Sequence, residues 1–552
     1  MVAHSGPSFR GTGITRYIST VPETAFDVDA ADQLIARAEA VLTVALHQLR
    51  DRGGIDANQT LAYDLSHSAS ALAAARSCLA YAQRGGDESR LTAAFLAMTL
   101  SDLAARTVGR ESLWGVEPGW FEPFQSFVST YRDPTFLARL AETSGRRHLG
   151  DDFEMVASTF HRFADEEVRP HAEHVHRSNG DIPESIIEGL NDLGGFGLSI
   201  PEEFGGFSAG GESEYLGMLV ATEELSRGSL GIGGSLITRP EIMTRALLRG
   251  GTDEQRRTWL PRLANAETLC AIAVTEPDFG SDVAGITTSA TRADGGWLLN
   301  GTKTWCTFAA RAEVLVLLAR TDPDRSLAHR GLSLFLVEKP RGDSDGFLFR
   351  QDAPREGRLE GRPIDTIGYR GMHSYELSFE QWFVSDDHLV GGDEGLGKGF
   401  YFQMAGFENG RIQTAARALG VMQAAYDAAL EYARNRVVFG EAIINFELTR
   451  VKLATMAAII QCARQFSLEV ARQMGRGDGS LEASMAKAYV CRAAEWVTRE
   501  AMQIHGGMGY AEEYAVSRYF LDARVLSIFE GADETLCLKV IARRLLDGLG
   551  ES

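Results

Sequence analysis

What most restricts the fold of this chain is a change of hydrophobic texture along it: helical periodicity, then a block of short apolar strands, then helical periodicity again. Leu34, Ala38, Val41, Leu42, Ala45, Leu46 and Leu49 recur at helical spacing within residues 30–50, with Arg37, Glu39 and Gln48 on the rest of the cylinder. Two further Ala- and Leu-rich stretches, 59–83 and 88–109, flank RGGDES, a turn-and-cap sequence. The segment 111–134, rich in Trp, Phe, Pro and Gly, breaks this pattern and reads as an ordered crossing into the next unit. Helical spacing returns over 150–265 around the turn PEEFGGFSAGGESE. Between 269 and 390, TLCAIAV, GWLLNG, EVLVLLAR and LSLFLVEK read as strands, and Asp294-Gly295-Gly296 as a hairpin. Long helices resume from Gly399, with breaks at 435–445 and 475–480.

Runs of helices and strands that do not alternate predict an α+β fold with the sheet in its own domain. At roughly 150 residues per domain, the 552 residues are expected to divide as 1–150, a helical extension; 151–268, a helical domain; 269–395, a β-domain; and 396–552, a helical bundle.

Charge narrows the functions open to such a chain. With 75 acidic against 55 basic residues, a net of −20, its field repels phosphate backbones and anionic bilayers, so neither nucleic acid nor membrane is an expected partner. Cys78, Cys270, Cys306, Cys462, Cys491 and Cys537 are scattered without a C-x-x-C pair, which argues for a reducing compartment and against zinc or a disulfide framework. The opening MVAHSGPSFRGTG lacks the apolar stretch of a leader, and no window of 18 uncharged apolar residues occurs; a cytoplasmic protein is expected.

Three constellations are weak. GDEGLGK at 392–398 has P-loop spacing, but Gly399 stands where a magnesium-holding Ser or Thr belongs. His171, His174 and His176 lie on a helical stretch with no matching Cys or carboxylate pattern, so a solvated helix face outweighs a metal site and no metal is expected. A G-x-S-x-G elbow for Ser-based hydrolysis is missing.

Seven other segments carry more. They are Val274-Thr275-Glu276-Pro277 with Gly280-Ser281-Asp282; LNGTKTWCT at 299–307; GMHSYELSF at 371–379; Gly410-Arg411; RVVFG at 436–440; QIHGGMG at 503–509; and IFEG at 528–531. In this order, and over about 150–548, they resemble the acyl-CoA dehydrogenase family. The resemblance implies a helical domain, a middle β-barrel or sheet domain and a C-terminal four-helix bundle, with the first ~150 residues as an addition.

It also implies FAD. Val274, Thr275 and Thr307, at strand ends, suit the polar edge of a flavin ring, and Trp305 offers a flat face to cover it. Ser281 is implied at the pantetheine and pyrophosphate region, and Arg411 as a contact to CoA. Arg436, Phe439, Gln503 and Gly507 are implied to hold the adenosine end of FAD bound to a neighbouring subunit, so at least a dimer is expected. Glu530 is the implied general base: the family reaction takes the α-proton of an acyl-CoA with a carboxylate while the β-hydrogen leaves as hydride to the flavin. Backbone donation to the thioester oxygen stabilises the developing enolate. Other members carry the base just before the position matching Arg411, which here is Gly410. Ala532, Glu534 and Leu521 depart from the residues many members have near the flavin.

Two features go beyond a generic member. Arg239 and Arg245 fall where the family lines the far end of the acyl pocket, and a planar guanidinium suits a carboxylate, so both are candidate ligands for a dicarboxylyl-CoA. The extension, with GRPIDTIGYRGMHSYELSF and FENGRIQTAARALGVMQAAY, looks like the group of the family that oxidises (2S)-methylsuccinyl-CoA to mesaconyl-CoA. Gly410 would leave room for the α-methyl branch. Electrons are expected to pass to an electron-transferring flavoprotein, and the added helices to cover the second subunit face of the family tetramer, leaving a homodimer. Glutaryl-CoA or short/branched-chain acyl-CoA dehydrogenase, acyl-CoA oxidase and, remotely, a non-catalytic scaffold stay open.

Overall fold

The computed structural model describes residues 26–549; the leader reading of residues 1–25 lies outside them. Three long helices open it: α1 (Val28–Asp51), α2 (Gln59–Ala82) and α3 (Gly86–Thr107). Asp27 caps α1 by accepting from the amides of Asp29 and Ala30. The 111–134 segment differs from its sequence reading, because it forms further short helices at Glu111–Trp114 and Glu122–Tyr131, followed by Pro134–Arg139. Proline in the first turn of two of them and the Asp133 cap favour helix starts there, and Trp114 and Phe124 are buried.

The middle block is one mixed sheet of eight strands: β1 (Cys270–Ala273), β2 (Ser289–Ala293), β3 (Gly296–Thr307), β4 (Val314–Arg320), β5 (Leu332–Glu338), β6 (Phe347–Arg350), β7 (Arg358–Ile364) and β8 (Ser374–Ser385). Its order is β1-β4-β2-β3-β8-β7-β6, with β5 paired to β4. The Asp294-Gly295 hairpin joins β2 to β3 in the register Ala293 to Gly296, with Gly295 at φ +71 as such a turn requires. Every residue of β4 is buried. Leu315, Leu317 and Ala319 face a core within the sheet domain, while Val314, Val316 and Leu318 face Met243, Ala246, Leu247 and Leu260 of the preceding helical domain. Such a strand reads as a continuous apolar run because both of its faces are covered.

Behind the sheet, the helices Gly399–Asn435, Glu447–Gly475, Ser480–Ile504 and Ala515–Leu526 form the bundle. The extension does not stand apart from it. Leu65, Leu72, Cys78, Phe95 and Leu100 share one core with Leu453, Ala457, Cys462 and Val490, and the Phe95 and Tyr489 rings meet edge to face at 5.8 Å. Among the described residues no helix is long and apolar enough to cross a membrane.

Candidate active site

The strand ends come first, because they are locked from behind. Lys303 is fully buried in β3 and donates to Val274 O (2.9 Å) and to Glu276 Oε1 (2.9 Å). Glu276 also accepts from the Thr287 amide (2.7 Å) and the Thr288 amide (2.8 Å). Burial alone would raise the Glu276 carboxyl, but the Lys303 charge and these bonds bring it down to about 2. The network fixes Val274 and Thr275 just beyond β1, where Thr275 O accepts from the Thr304 amide (2.8 Å). At the end of β3 the register against β8 shifts between Lys303 and Cys306. This irregularity turns Trp305 outward at φ +57 with 56% of its surface exposed. Thr307 Oγ1 lies 3.0 Å from Ser374 Oγ. An exposed indole on a strained backbone, beside pinned strand ends, fits a flat aromatic cofactor.

The implied base is held differently. Glu530 follows the helix Ala515–Leu526 on a turn where it has φ +54 and Gly531 has φ +96. Among the described residues, its Oε2 is buried without a hydrogen-bond partner, and no backbone bond uses its N–H. A Cβ added at Gly410 would come within 3.0 Å of Glu530 Oε2, so the Glu530 carboxylate occupies the room that Gly410 leaves. Lys487, fully buried, donates to Gly531 O (2.6 Å). Thr535 Oγ1 donates to Ser281 Oγ (2.8 Å), tying the base segment to the loop after β1. Arg411 reaches Ser484 Oγ (3.1 Å), and its Nε has no partner.

Beside Glu530 the helices Thr238–Gly250 and Gly399–Asn435 pack closely, with Gly406 against Ile242. Gly406, Gly410 and Arg417 recur on one face of the longer helix. Arg417 is fully buried; its Nη2 donates to Thr414 Oγ1 (2.6 Å), while Nε and Nη1 have no partner. Burial draws its guanidinium pKa down, against the pull of Tyr369 and Glu530. Arg239, also buried, donates to Ser235 O (3.1 Å) and Tyr369 Oη (3.2 Å). Asp522 Oδ1 accepts from the Tyr369 amide (2.6 Å) and so places that ring. Burial raises Glu241 in the same cluster to about 8, with the Glu530 charge adding to the shift, so it is neutral near pH 7 and leaves the guanidinium charge uncancelled.

The sequence reading of the two arginines divides here. Arg245 already has a carboxylate inside the chain: it pairs with Glu214 and stacks over Tyr215 at 5.0 Å. That corrects its reading as a substrate ligand, since a guanidinium neutralised by a buried partner does not seek another. Arg239 and Arg417 have no carboxylate within ion-pairing distance among the described residues. Sequence reasoning missed Arg417, Tyr369 and Lys487. For Arg417 the available signal was its seven-residue spacing from Gly410 on the face that carries Gly406.

The remaining implied cofactor contacts lie bare. Arg436, Gln503 and Gly507 are exposed, and Phe439 is 96% exposed at the tip of the small hairpin Val437–Val438 and Glu441–Ala442. Phe439 at φ +54 and Gly440 at φ +85 give that turn two left-handed residues. His171, His174 and His176 form no cluster with metal-holding geometry; His176 is buried, and burial together with Arg370 and Arg518 lowers it to about 4.

A buried carboxylate with an unpartnered oxygen and strand ends that present an indole fit a flavin-dependent dehydrogenase acting on a CH–CH bond, and comparison with known proteins shows that class. Models of the N-terminal, middle and C-terminal domains of acyl-CoA dehydrogenase match residues 150–267, 271–382 and 397–546, and the chain belongs to the FAD-dependent acyl-CoA dehydrogenase family. Over 407 residues it is 44% identical to the (2S)-methylsuccinyl-CoA dehydrogenase of Cereibacter sphaeroides, covering 73% of this chain and 71% of that one. A solved glutaryl-coenzyme A dehydrogenase in complex with glutaryl-CoA superposes with a TM-score of 0.65 at 29% identity, over 73% of this chain and 97% of that one. A structure described as the electron transferring flavoprotein of Acidaminococcus fermentans matches with a TM-score of 0.63 at 28% identity, over 72% of this chain and 98% of that one.

Proposed function

We propose that this enzyme oxidises (2S)-methylsuccinyl-CoA to mesaconyl-CoA, as a homodimer that passes electrons to an electron-transferring flavoprotein. The observation that carries the dicarboxylate reading is the pair Arg239 and Arg417: two buried guanidiniums near the proposed base, without a carboxylate within ion-pairing distance among the described residues. A buried cation without a counter-ion is costly, and a substrate carboxylate would relieve that cost. Bidentate geometry adds selectivity over an uncharged acyl end. The likeness to the Cereibacter sphaeroides enzyme supports the α-methyl member of this substrate class, and the likeness to the Acidaminococcus fermentans structure supports the electron acceptor.

FAD, when bound, supplies the hydride acceptor. Val274, Thr275, Trp305 and Thr307 would hold its ring, with Ser281 on the adjoining loop; Arg436, Phe439, Gln503 and Gly507 would hold the adenosine end belonging to the partner subunit. The chain's own part in the chemistry is at Glu530. Its unpartnered carboxylate oxygen takes the α-proton, and its unused backbone N–H is available to the thioester oxygen, where charge grows as that proton leaves. Arg239 and Arg417 orient the acyl chain by its far end, and Arg411 contacts CoA. The helices of the extension cover the outer side of Glu447–Gly475, which favours a dimer over a tetramer.

Anaerobic mixing of the holoenzyme with (2S)-methylsuccinyl-CoA, succinyl-CoA, glutaryl-CoA and butyryl-CoA, followed near 450 nm, tests the reading. Fastest bleaching by methylsuccinyl-CoA is expected; fastest bleaching by butyryl-CoA overturns the dicarboxylate assignment. Turnover with O₂ equal to turnover with the flavoprotein would overturn the acceptor, and a tetramer by light scattering would overturn the dimer.

A further inference from the structure

The base carboxylate has no hydrogen bond of its own at Oε2, so its position is set by the backbone that carries it. That backbone is a strained support. Glu530 is a non-glycine residue in the left-handed region, a conformation that persists only where the surroundings impose it. Within the family-length chain, restraints on the turn include Lys487 on Gly531 O, the Asp533 amide on Ser527 O (3.1 Å), Ser527 Oγ on Glu495 Oε1 and Thr535 Oγ1 on Ser281 Oγ (2.8 Å).

A further restraint comes from the extension. Asp533, three residues past the base and buried, receives the Tyr63 hydroxyl on Oδ2 (2.5 Å), and the same oxygen lies 3.0 Å from His67 Nε2. Tyr63 and His67 are one turn apart on α2, so they present to Asp533 from a single helix face, their rings edge to face at 4.6 Å. Between them Ser66 donates to Cys537 O (2.8 Å), one turn past Asp533, and the Cys537 thiol sulfur lies 3.4 Å from His67 Nε2. The contact joins residues about 470 apart in the chain, and residues before 150 lie outside the three matched family models.

We propose that Tyr63 and His67 are positioning residues for catalysis: by clamping Asp533 they hold the left-handed Glu530 turn, and hence the base carboxylate, in register with the α-carbon of the acyl-CoA. Burial favours the neutral form of His67, which leaves one ring N–H to donate to the Asp533 carboxylate. The extension is thereby part of the active-site support as well as a cover for the bundle.

Displacing a reacting group by about 1 Å costs on the order of 10²-fold in rate, which sets the scale of the test. The holoenzymes of His67→Leu, Tyr63→Phe and the double variant are mixed anaerobically with (2S)-methylsuccinyl-CoA and with butyryl-CoA, and the bleaching rate, its half-saturation concentration and the isotope effect of α-deuterated substrate are recorded. The expected result is a limiting rate roughly 10–100-fold lower in the double variant on every acyl-CoA that the unaltered enzyme oxidises. Half-saturation should move less than about threefold and the α-deuterium effect should rise, the signature of a misplaced base. His67→Gln, whose amide N–H can still reach Asp533, should recover most of the rate. Arg76→Ala is the control, because it removes ion pairs to Asp32 and Glu39 on the outer side of α2 without touching Asp533; it should lower Tm and leave the bleaching rate unchanged. A double variant with the unaltered rate and isotope effect overturns the proposal. So does an equal slowing by Arg76→Ala, which would mark general loosening of the extension. Because His67, Asp533 and Cys537 place donor atoms within 4.8 Å of one another, one equivalent of a transition metal lost in His67→Leu would also overturn the hydrogen-bonded clamp.

Discussion

The two halves of the proposed site are built to opposite rules. Around the acyl end, the chain encloses everything: Glu530 over Gly410, Lys487 beneath the turn, Arg239 and Arg417 sunk in the core and Glu241 without charge. At the other half, Arg436, Phe439, Gln503 and Gly507 stand in solvent at a helix end, a hairpin, the last turn of Ser480–Ile504 and the turn after it, with a phenyl ring almost wholly exposed. A bare phenyl ring held left-handed at Phe439 fits the proposed contact with a second subunit. If the proposed roles hold, the acyl half of the chemistry is built within one subunit, whereas retention of the cofactor would depend on assembly.

The sharpest way to test the enclosed half is to remove its base. Glu530→Gln keeps the shape of the side chain and should slow anaerobic bleaching by about 10³-fold or more while FAD stays bound; a loss below tenfold would mean that the proton goes elsewhere. Next in size is the loss of the far-end charge. Arg417→Met should lower kcat/KM for methylsuccinyl-CoA about 100-fold, in line with removal of one partner of a buried ion pair, and change that for butyryl-CoA less than about threefold. Equal losses on both substrates would break the distinction between base and carboxylate ligand. The open half is expected to respond in affinity. Phe439→Asp should weaken FAD retention about tenfold and shift sedimentation toward monomer, with the limiting bleaching rate of the FAD-saturated enzyme unchanged.

The smallest effect is on stability. The folded chain binds the Glu241 proton more tightly than an unfolded chain does, so this group's contribution is complete below about pH 4.5, falls as pH rises and is gone above about 8. The Tm advantage of Glu241→Gln over the unaltered protein should therefore grow between pH 5 and pH 8.5. A constant difference would show that Glu241 is ionised in the fold.

The α+β architecture was legible because its signals are local. The three opening helices, the Asp294-Gly295 hairpin and the breaks near 435–445 and 475–480 each follow from periodicity or turn chemistry within a short window. The short helices after Trp114 were missed because Trp, Phe, Pro and Gly dilute helical spacing, and their stability comes from burial of Trp114 and Phe124 in a distant core. In the site, motif residues such as Trp305 and Glu530 could be singled out from the sequence, but which arginine is free could not. Arg245 and Arg239 look alike in one helix until folding brings Glu214 to the first and Tyr369 to the second. Lys303 illustrates the same limit: its place in LNGTKTWCT is plain, whereas its task, pinning Val274 through a buried pair with Glu276, depends on pairing across elements.

The shared core of the extension and the bundle has a consequence for synthesis on the ribosome. The Cys78 thiol meets the Cys462 carbonyl across 384 positions of chain. At about 5–20 residues per second, α2 leaves the exit tunnel roughly 20–80 s before the helix it packs against has been translated. Through that interval α1 and α3 can cover part of α2, but the face that packs on the later helix has no native cover. Slow decoding between α3 and Glu447–Gly475 would lengthen the exposure and lower the yield of soluble enzyme without changing a single residue.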